Sequence, residues 1–273
     1  MKTKPQCRFC NTTLEQTFVD LGMSPLCESF LLPDQLNQME PFYPLKVYVC
    51  NNCFLVQLEE YVSPENIFTE YAYFSSYSDS WLQHARNYTE LMIEKFHLTS
   101  KNQVIELASN DGYLLQYFVE KGIPSLGVEP AKNVAKVALE KGIPTVMDFF
   151  GVQLARKMAH EGQKADLLLG NNVLAQVPDI NDFVAGMKIT LNSHGVITME
   201  FPHLMRLSRG TSLTPSTTNI FRIFHSSPVK EFLPSTESRF LTWKSSKPTA
   251  DPSGFTDGMW RTKPNRYRKE PWK

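Results

Sequence analysis

Two groups of residues in this 273-residue chain have the types and spacing to do chemistry. The first is a set of four cysteines in two pairs, Cys7-Arg8-Phe9-Cys10 and Cys50-Asn51-Asn52-Cys53. Zinc takes four thiolate or imidazole ligands in a tetrahedron, and a CxxC turn places two sulfurs on one side of the ion. Two such turns complete the shell, so Cys7, Cys10, Cys50 and Cys53 are the expected metal ligands. The other reading is a pair of redox or incidental CxxC motifs. Four thiolates leave no open position, so the ion is expected to be structural. The fifth cysteine, Cys27, reads as a packed thiol outside the set. Between the pairs lie 39 residues, Asn11 to Val49, enough for a small inserted subdomain.

The second group lies in Val104-Ile-Glu-Leu-Ala-Ser-Asn-Asp-Gly-Tyr-Leu-Leu115. A short apolar strand runs into a tight turn, and a helix follows. Small residues at Ala108 and Gly112 let the backbone approach a ligand closely. Glu106 stands at the strand end, where it can meet an ammonium group. Seventeen residues beyond Gly112, the next strand ends in Glu129, placed to accept hydrogen bonds from ribose hydroxyls. Taken alone, this pattern also fits a nicotinamide dinucleotide, or ordinary strand-turn-helix packing. The absence of GxGxxG argues against the dinucleotide, because S-adenosylmethionine (SAM) has no pyrophosphate to cradle. Asn110, Asp111, Asp148-Phe149 and Asn171-Asn172 complete the expected cofactor-binding set. They fall with Glu129 at the carboxyl ends of successive strands, where open α/β sheets bind ligands.

These residues need a scaffold to position them. Leu45, Val47 and Val49 alternate into Cys50 as a strand, and 66–98 has helical spacing around Trp81 to Met92. From 102, strands at 104–107, 125–129, 145–147, 166–169 and 195–201 alternate with helices at 114–121 and 133–141, each stopped by a glycine. This alternation predicts a doubly wound parallel sheet. The expected fold class is α/β, a doubly wound Rossmann-like sheet with a small N-terminal zinc module. The expected divisions are 1–65 for the zinc module, 66–207 for the SAM-binding domain, and 208–273 for an aberrant basic tail. That tail holds twelve Lys/Arg against five Asp/Glu and lacks sustained periodicity, so it reads as disordered.

The whole chain has 28 basic and 28 acidic residues. Its neutral balance, and the acidic balance of 1–207, exclude a general phosphate-backbone binder, because nucleic acid needs clustered Lys/Arg. The start has no apolar signal region, and no segment reaches the roughly 18 apolar residues of a membrane span. A cytoplasmic location is the expectation, with a small-molecule substrate as partner and neither nucleic acid nor membrane.

The combined pattern resembles the zinc-containing, SAM-dependent C-methyltransferases of deoxysugar biosynthesis. The resemblance rests on both CxxC pairs, Asp20-Leu-Gly-Met-Ser-Pro25, Tyr71-Ala-Tyr-Phe-Ser-Ser76 and Glu106-Leu-Ala-Ser-Asn-Asp-Gly112. It continues in Gly127-Val-Glu-Pro130 and Asn171-Asn-Val-Leu-Ala-Gln-Val-Pro-Asp179. It implies that the sheet is a class I methyltransferase sheet, incomplete in this chain, with SAM and structural zinc as cofactors and a nucleotide-linked 4-keto sugar as substrate. It also implies a C-terminal substrate domain and removal of an acidified C–H proton before methyl transfer.

Two departures from the family pattern stand out. Ala108 replaces the usual turn glycine, and Gln176 replaces a histidine. Glutamine hydrogen-bonds but takes no proton near neutral pH. Gln176, Tyr71 and Tyr73 are the candidate catalytic positions, although the tyrosines equally fit aromatic packing between the zinc module and the core. The six histidines lie off the matched motifs and read as surface or structural residues.

The resemblance stops at Leu207. Read one base earlier with permitted codons, Leu241 to Thr256 can encode Phe-Asp-Val-Glu-Glu-Leu-Gln-Thr-His-Gly-Gly-Ser-Leu-Arg-Ile-Tyr, and Thr214 to Ser227 can encode a Tyr-His-Glu-His segment. Both look like parts of the family's C-terminal domain. The expectation is a frameshift that removes this domain, leaves an unpaired sheet edge, and makes methyl transfer weak or absent. A non-enzymatic SAM-binding or zinc-stabilised interaction protein is the alternative, and a nucleic-acid methyltransferase with a zinc reader is a third reading that the acidic balance disfavours.

Overall fold

The computed structural model describes residues 4–27, 29–201, 204, 222–223 and 239–242. Two sheets organise them. The first belongs to the N-terminal module. Strands β1 (Gln16–Pro25) and β2 (Phe42–Val49) pair antiparallel from Gln16↔Val49 to Pro25↔Phe42, with two register shifts. β3 (Val56–Leu58) pairs antiparallel with β2. The chain between the two cysteine pairs is therefore mostly one long hairpin, with a 3₁₀ turn at Pro33–Gln35. The Cys50–Cys53 turn joins β2 to β3, and the Cys7–Cys10 turn is closed by the Gln6↔Thr13 bridge.

A helical passage follows, with α1 (Pro64–Phe68) and α2 (Asp79–Phe96). Ser78 caps α2 by accepting from the Trp81 N–H, and His97 ends it in the left-handed conformation. The helix reading of 66–98 thus holds for its second half, whereas 69–78 is a strap with a single 3₁₀ turn.

The second sheet is built from β4 (Val104–Leu107), β5 (Ser125–Val128), β6 (Thr145–Val146), β7 (Ala165–Asn171) and β8 (Leu191–Glu200). Helices α3 (Leu115–Glu120), α4 (Lys132–Glu140), α5 (Val152–His160) and α6 (Ile180–Thr190) connect them. Every pairing in this sheet is parallel. The order runs β8-β7-β4-β5-β6, so the chain winds outward from β4 in one direction and then restarts at β7 in the other. A crevice opens at that reversal, outside the carboxyl ends of β4 and β7. Successive residues bury to opposite faces. Ile105, Leu107 and Leu168 join one apolar cluster, while Val104, Leu167 and Leu169 join the other. Burial on both faces explains the continuous apolar runs that replace alternation here.

Two short strands come from the region expected to be a disordered tail. β9 (Arg222–Ile223) pairs antiparallel with β3. β10 (Arg239–Thr242) pairs parallel with β8, from Arg239↔Val196 to Thr242↔Met199. The β8 edge, expected to be unpaired, is covered over four residues. A strand edge offers a row of unpaired N–H and C=O groups, and even four extended residues can satisfy part of it. The remaining expectations for 208–273, including the frameshifted segments, lie outside the described residues. No helix among the described residues is long and apolar enough to cross a membrane.

Candidate cofactor cavity and metal centre

The two cysteine turns have the same local build. In each, the residue after the second cysteine adopts a left-handed conformation, Asn11 at φ 58° and Phe54 at φ 60°. Its N–H returns to the carbonyl of the first cysteine, at 2.9 Å for Asn11 to Cys7 and 3.0 Å for Phe54 to Cys50. The turns face each other. Cys7 Sγ lies 3.5 Å from Cys53 Sγ, Cys10 Sγ lies 3.5 Å from Cys50 Sγ, and all four sulfurs fall within 4.8 Å of one another. Four sulfurs at about 2.3 Å from a tetrahedral zinc sit about 3.8 Å apart, so the cluster fits the ion.

Burial pushes the Cys7 and Cys53 thiols up from their ordinary range. Burial also opposes ionisation at Cys10, but hydrogen bonds from Thr12, Asn52 and Cys50 outweigh it and bring that thiol to about 6. Buried thiolates need a positive charge among them, and a divalent ion supplies it. Cys27 lies outside the cluster, half-buried in a separate small cavity. After exhaustive dialysis the protein should contain about one zinc per chain by elemental analysis, and Cys53→Ser should fall well below that. A folded, metal-free parent protein would remove the zinc assignment.

The crevice at the sheet reversal is a cavity of about 330 Å³. Nine of the expected cofactor and catalytic residues line it: Tyr71, Tyr73, Ala108, Asn110, Glu129, Phe149, Asn171, Asn172 and Gln176. The turn after β4 is strained to reach it, with Ala108 at φ 57° and Asn110 at φ 50°. Gly112 at φ 75° serves packing, since a Cβ there would come within 2.4 Å of Ile143 Cδ1. At Ala108 the left-handed backbone costs a non-glycine residue about 1 to 2 kcal/mol, partly offset by the lower entropy of its unfolded chain. Ala108→Gly should therefore stabilise the protein by about 0.5 to 1 kcal/mol, read as a small rise in thermal midpoint.

Two asparagines hold the aromatic strap over this turn. Asn110 accepts from the Ser75 N–H at 2.9 Å and donates to the Tyr73 carbonyl at 3.0 Å. Asn133 accepts from the Tyr71 N–H at 3.0 Å and donates to the Tyr71 carbonyl at 2.7 Å. Tyr71 and Tyr73 are thus fixed at the cavity rim, edge-on to each other with centroids 6.3 Å apart.

Four expected residues do not reach the cavity surface. Asp111 is fully buried and turned away, accepting from Ser76 Oγ and, at 3.3 Å, from Lys141 Nζ. Gly112 is buried in the helix-strand packing just described. Asp148 is exposed and accepts from the Phe149 N–H at 2.8 Å. Glu106 lies wholly within the protein, on the Val104 face of β4, and neither of its oxygens has a hydrogen-bond partner among the described residues. Burial raises its carboxyl well above the usual range, and the nearby carboxylates of Glu129 and Asp111 add to the shift.

The sequence reading missed the other wall. Trp81 of α2 stacks on Tyr113, with centroids 6.0 Å apart, and both line the cavity. Behind Trp81, His84 Nε2 lies 2.8 Å from Glu200 Oε2 at the end of β8. The spacing of Trp81, Ala85, Tyr88 and Met92 on one helix face was the available signal.

The cavity's charge discriminates between cofactors. Its lining contains Glu65, Glu129, Asp179 and Asp182, and no Lys, Arg or His among the described residues. Pyrophosphate would meet only carboxylates there. A sulfonium and an ammonium would meet complementary charge.

Comparison with known proteins agrees with this geometry. Residues 7–68 match the family described as "Putative zinc binding domain". Over 202 residues the chain is 32% identical to the C-methyltransferase NovU of Streptomyces niveus, which covers 74% of this chain and 48% of the relative. The chain is thus similar to a C-methyltransferase over 74% of its length, and its N-terminus matches a zinc-binding domain. It spans about half the length of the curated relative it matches. Among solved structures it is similar to a SAM-dependent methyltransferase from Anabaena variabilis, at 13% identity, 62% of this chain, 84% of that chain and a TM-score of 0.43. It is also similar to PH0226 from Pyrococcus horikoshii, at 16% identity, 50% of this chain, 61% of that chain and a TM-score of 0.41. The four-sulfur cluster and the matched domain together fit a structural zinc ion.

Proposed function

We propose that this chain holds SAM in the cavity at the sheet reversal. Glu129 accepts hydrogen bonds from the ribose hydroxyls, Phe149 packs on the adenine side, and Glu106 stands behind the turn, where a bound cation favours its ionised form. The observation that carries this reading is the cavity lining, which is aromatic and acidic and holds no described cationic residue. The reaction class is C-methylation of a nucleotide-linked keto-deoxysugar. The ketone acidifies a neighbouring C–H, and the resulting enolate carbon forms a bond to a methyl group as that methyl leaves sulfur. Bound SAM supplies the electrophilic methyl.

The proton from the sugar carbon requires an acceptor, and the cavity supplies a poor set. Gln176 is committed to the Asn172 carbonyl at 2.8 Å and cannot take a proton. Asp179 and Asp182 accept from backbone N–H groups at the starts of α6 and α5, Glu129 accepts from two more, and hydrogen bonds from its own backbone and Ser63 hold the Glu65 carboxyl below its ordinary range. A general base contributes about 10² to 10⁴ in rate, so slow transfer follows from its loss. This favours a second reading, a SAM-binding protein with little catalysis. Calorimetric titration with SAM, followed by transfer from labelled SAM to a nucleotide 4-keto sugar, tests both parts. The expected result is saturable binding with turnover well below one per minute. No binding removes the proposal, and rapid transfer removes the claim that the described lining of the cavity lacks a base.

A further inference from the structure

The metal centre and the cofactor cavity share one wall. Residues Asn172 to Phe183 run from the end of β7 into α6. On one side, Asn172, Val173, Gln176, Val177, Pro178, Asp179, Asp182 and Phe183 line the cavity. On the other, Leu174, Ala175 and Ile180 are buried in the same apolar cluster as Cys7, Cys50, Cys53, Leu14 and Leu55. The first cysteine turn is also hydrogen-bonded to this wall. Asn181 Nδ2 donates to the Phe9 carbonyl at 3.0 Å and reaches the Arg8 carbonyl at 3.4 Å. Those are the two residues between Cys7 and Cys10. The turn's own position is set by Gln57, which is almost wholly buried. It accepts from the Arg8 N–H at 3.0 Å and donates to Cys7 Sγ at 3.2 Å.

The wall needs an outside support. It begins at Asn172, a left-handed residue at φ 55° held by its N–H to the Glu200 carbonyl at 2.7 Å. Between there and the start of α6 it has no ladder of its own. Its buried side chains Leu174, Ala175 and Ile180 share one apolar cluster with the cysteine turns and a face of the sheet, and a metal ion would hold the turns' four sulfurs together.

We propose that the zinc-bound cysteine turns brace the Asn172–Phe183 wall, so that metal and cofactor binding are coupled, with Asn181 as the positioning residue. The inference rests on assigning the cavity to SAM. Coupling between sites is reciprocal: whatever factor the metal adds to SAM affinity, SAM adds to metal affinity. Couplings of this kind run from about 5-fold to 150-fold. A brace of one apolar contact set and two carbonyl hydrogen bonds belongs near 10-fold.

The test uses the zinc-loaded protein in competition with a chelating dye. Saturating SAM should raise zinc affinity about 10-fold, and the metal-depleted protein should bind SAM about 10-fold more weakly by calorimetry. Asn181→Ala keeps all four cysteines and should retain one zinc per chain, yet the effect of SAM on its zinc affinity should shrink to about 3-fold or less. A merely structural role for Asn181 would lower stability and leave the coupling factor intact. Zinc affinity unchanged by SAM, in a protein that binds SAM, overturns the coupling while the cavity assignment stands. Undiminished coupling in Asn181→Ala overturns the role given to that residue. Failure of the zinc-loaded protein to bind SAM at all overturns the cavity assignment and the proposal together.

Discussion

Glu129→Ala should weaken SAM binding by about 100-fold or more. Glu129 is 5% exposed and stands just past β5, at the cavity wall. Its Oε2 accepts from the Asn110 N–H at 2.9 Å and its Oε1 from the Ala131 N–H at 2.8 Å. Each oxygen keeps a second lone pair for a ribose hydroxyl. Burial raises its carboxyl from the ordinary range, and the two backbone hydrogen bonds work against that rise. A hydrogen bond to a charged group contributes about 1.5 to 3 kcal/mol, so losing two exceeds the 2.8 kcal/mol or so of a hundredfold change. The substitution also leaves two backbone N–H groups without acceptors, at about 1 to 3 kcal/mol each if they stay buried. Calorimetry should therefore show the affinity loss and scanning denaturation a lower midpoint. Equal SAM affinity in a folded Glu129→Ala protein would show that the ribose lies elsewhere.

Glu106→Gln should move stability and binding in opposite directions. The parent carboxyl is fully buried, lacks hydrogen-bond partners among the described residues, and shares its surroundings with Glu129 and Asp111. Burying an uncompensated carboxylate costs several kcal/mol after relaxation, whereas a neutral amide of similar shape costs much less. Above the pH at which the buried carboxyl ionises, the protein without cofactor should gain up to about 2 kcal/mol, a rise of several degrees in midpoint for a domain of this size. SAM affinity should fall, because an amide cannot release a proton to leave negative charge behind the turn when a cation binds. The pH dependence has a definite sign. A carboxyl raised in the folded state contributes stability that is present below its unfolded value near 4.5 and lost as pH rises through the folded value. Parent stability should decline over that window, and Glu106→Gln should lack this part of the decline. An unchanged midpoint with unchanged pH dependence would mean that Glu106 is compensated by a group outside the described residues.

Local pattern carried the parts of this molecule that depend on local physics. The CxxC pairs specify their own turns, so the four ligands could be read directly. The strand-turn-helix of 104–115 also announced itself, because the glycine stops and apolar runs leave few alternatives. Residues whose role depends on distant packing were harder. Glu106 reads like a ligand group, yet its place in the pleat puts it on the Val104 face beneath α2. Asp111 stands in the same motif and points to Lys141 instead. Trp81 reads as one more apolar position on a helix, and only the crossing of α2 over the sheet brings it onto Tyr113. The strand at 239–242 has no periodicity to announce it, since four residues fit several patterns equally well.

The long hairpin between the cysteine pairs has a consequence for how the protein is made. On a ribosome 39 residues emerge between the first pair and the second. At about 5 to 20 residues per second, a nascent chain spends seconds with only two thiolates in place. Closing the loop costs about 3 kcal/mol of chain entropy, which β1–β2 pairing and metal capture offset together. That cost grows only with the logarithm of length, by about 0.6 kcal/mol per doubling. The hairpin tip is thus a position where the chain can lengthen or shorten at little thermodynamic penalty, whereas a change in spacing within either flanking turn would move two metal ligands relative to each other.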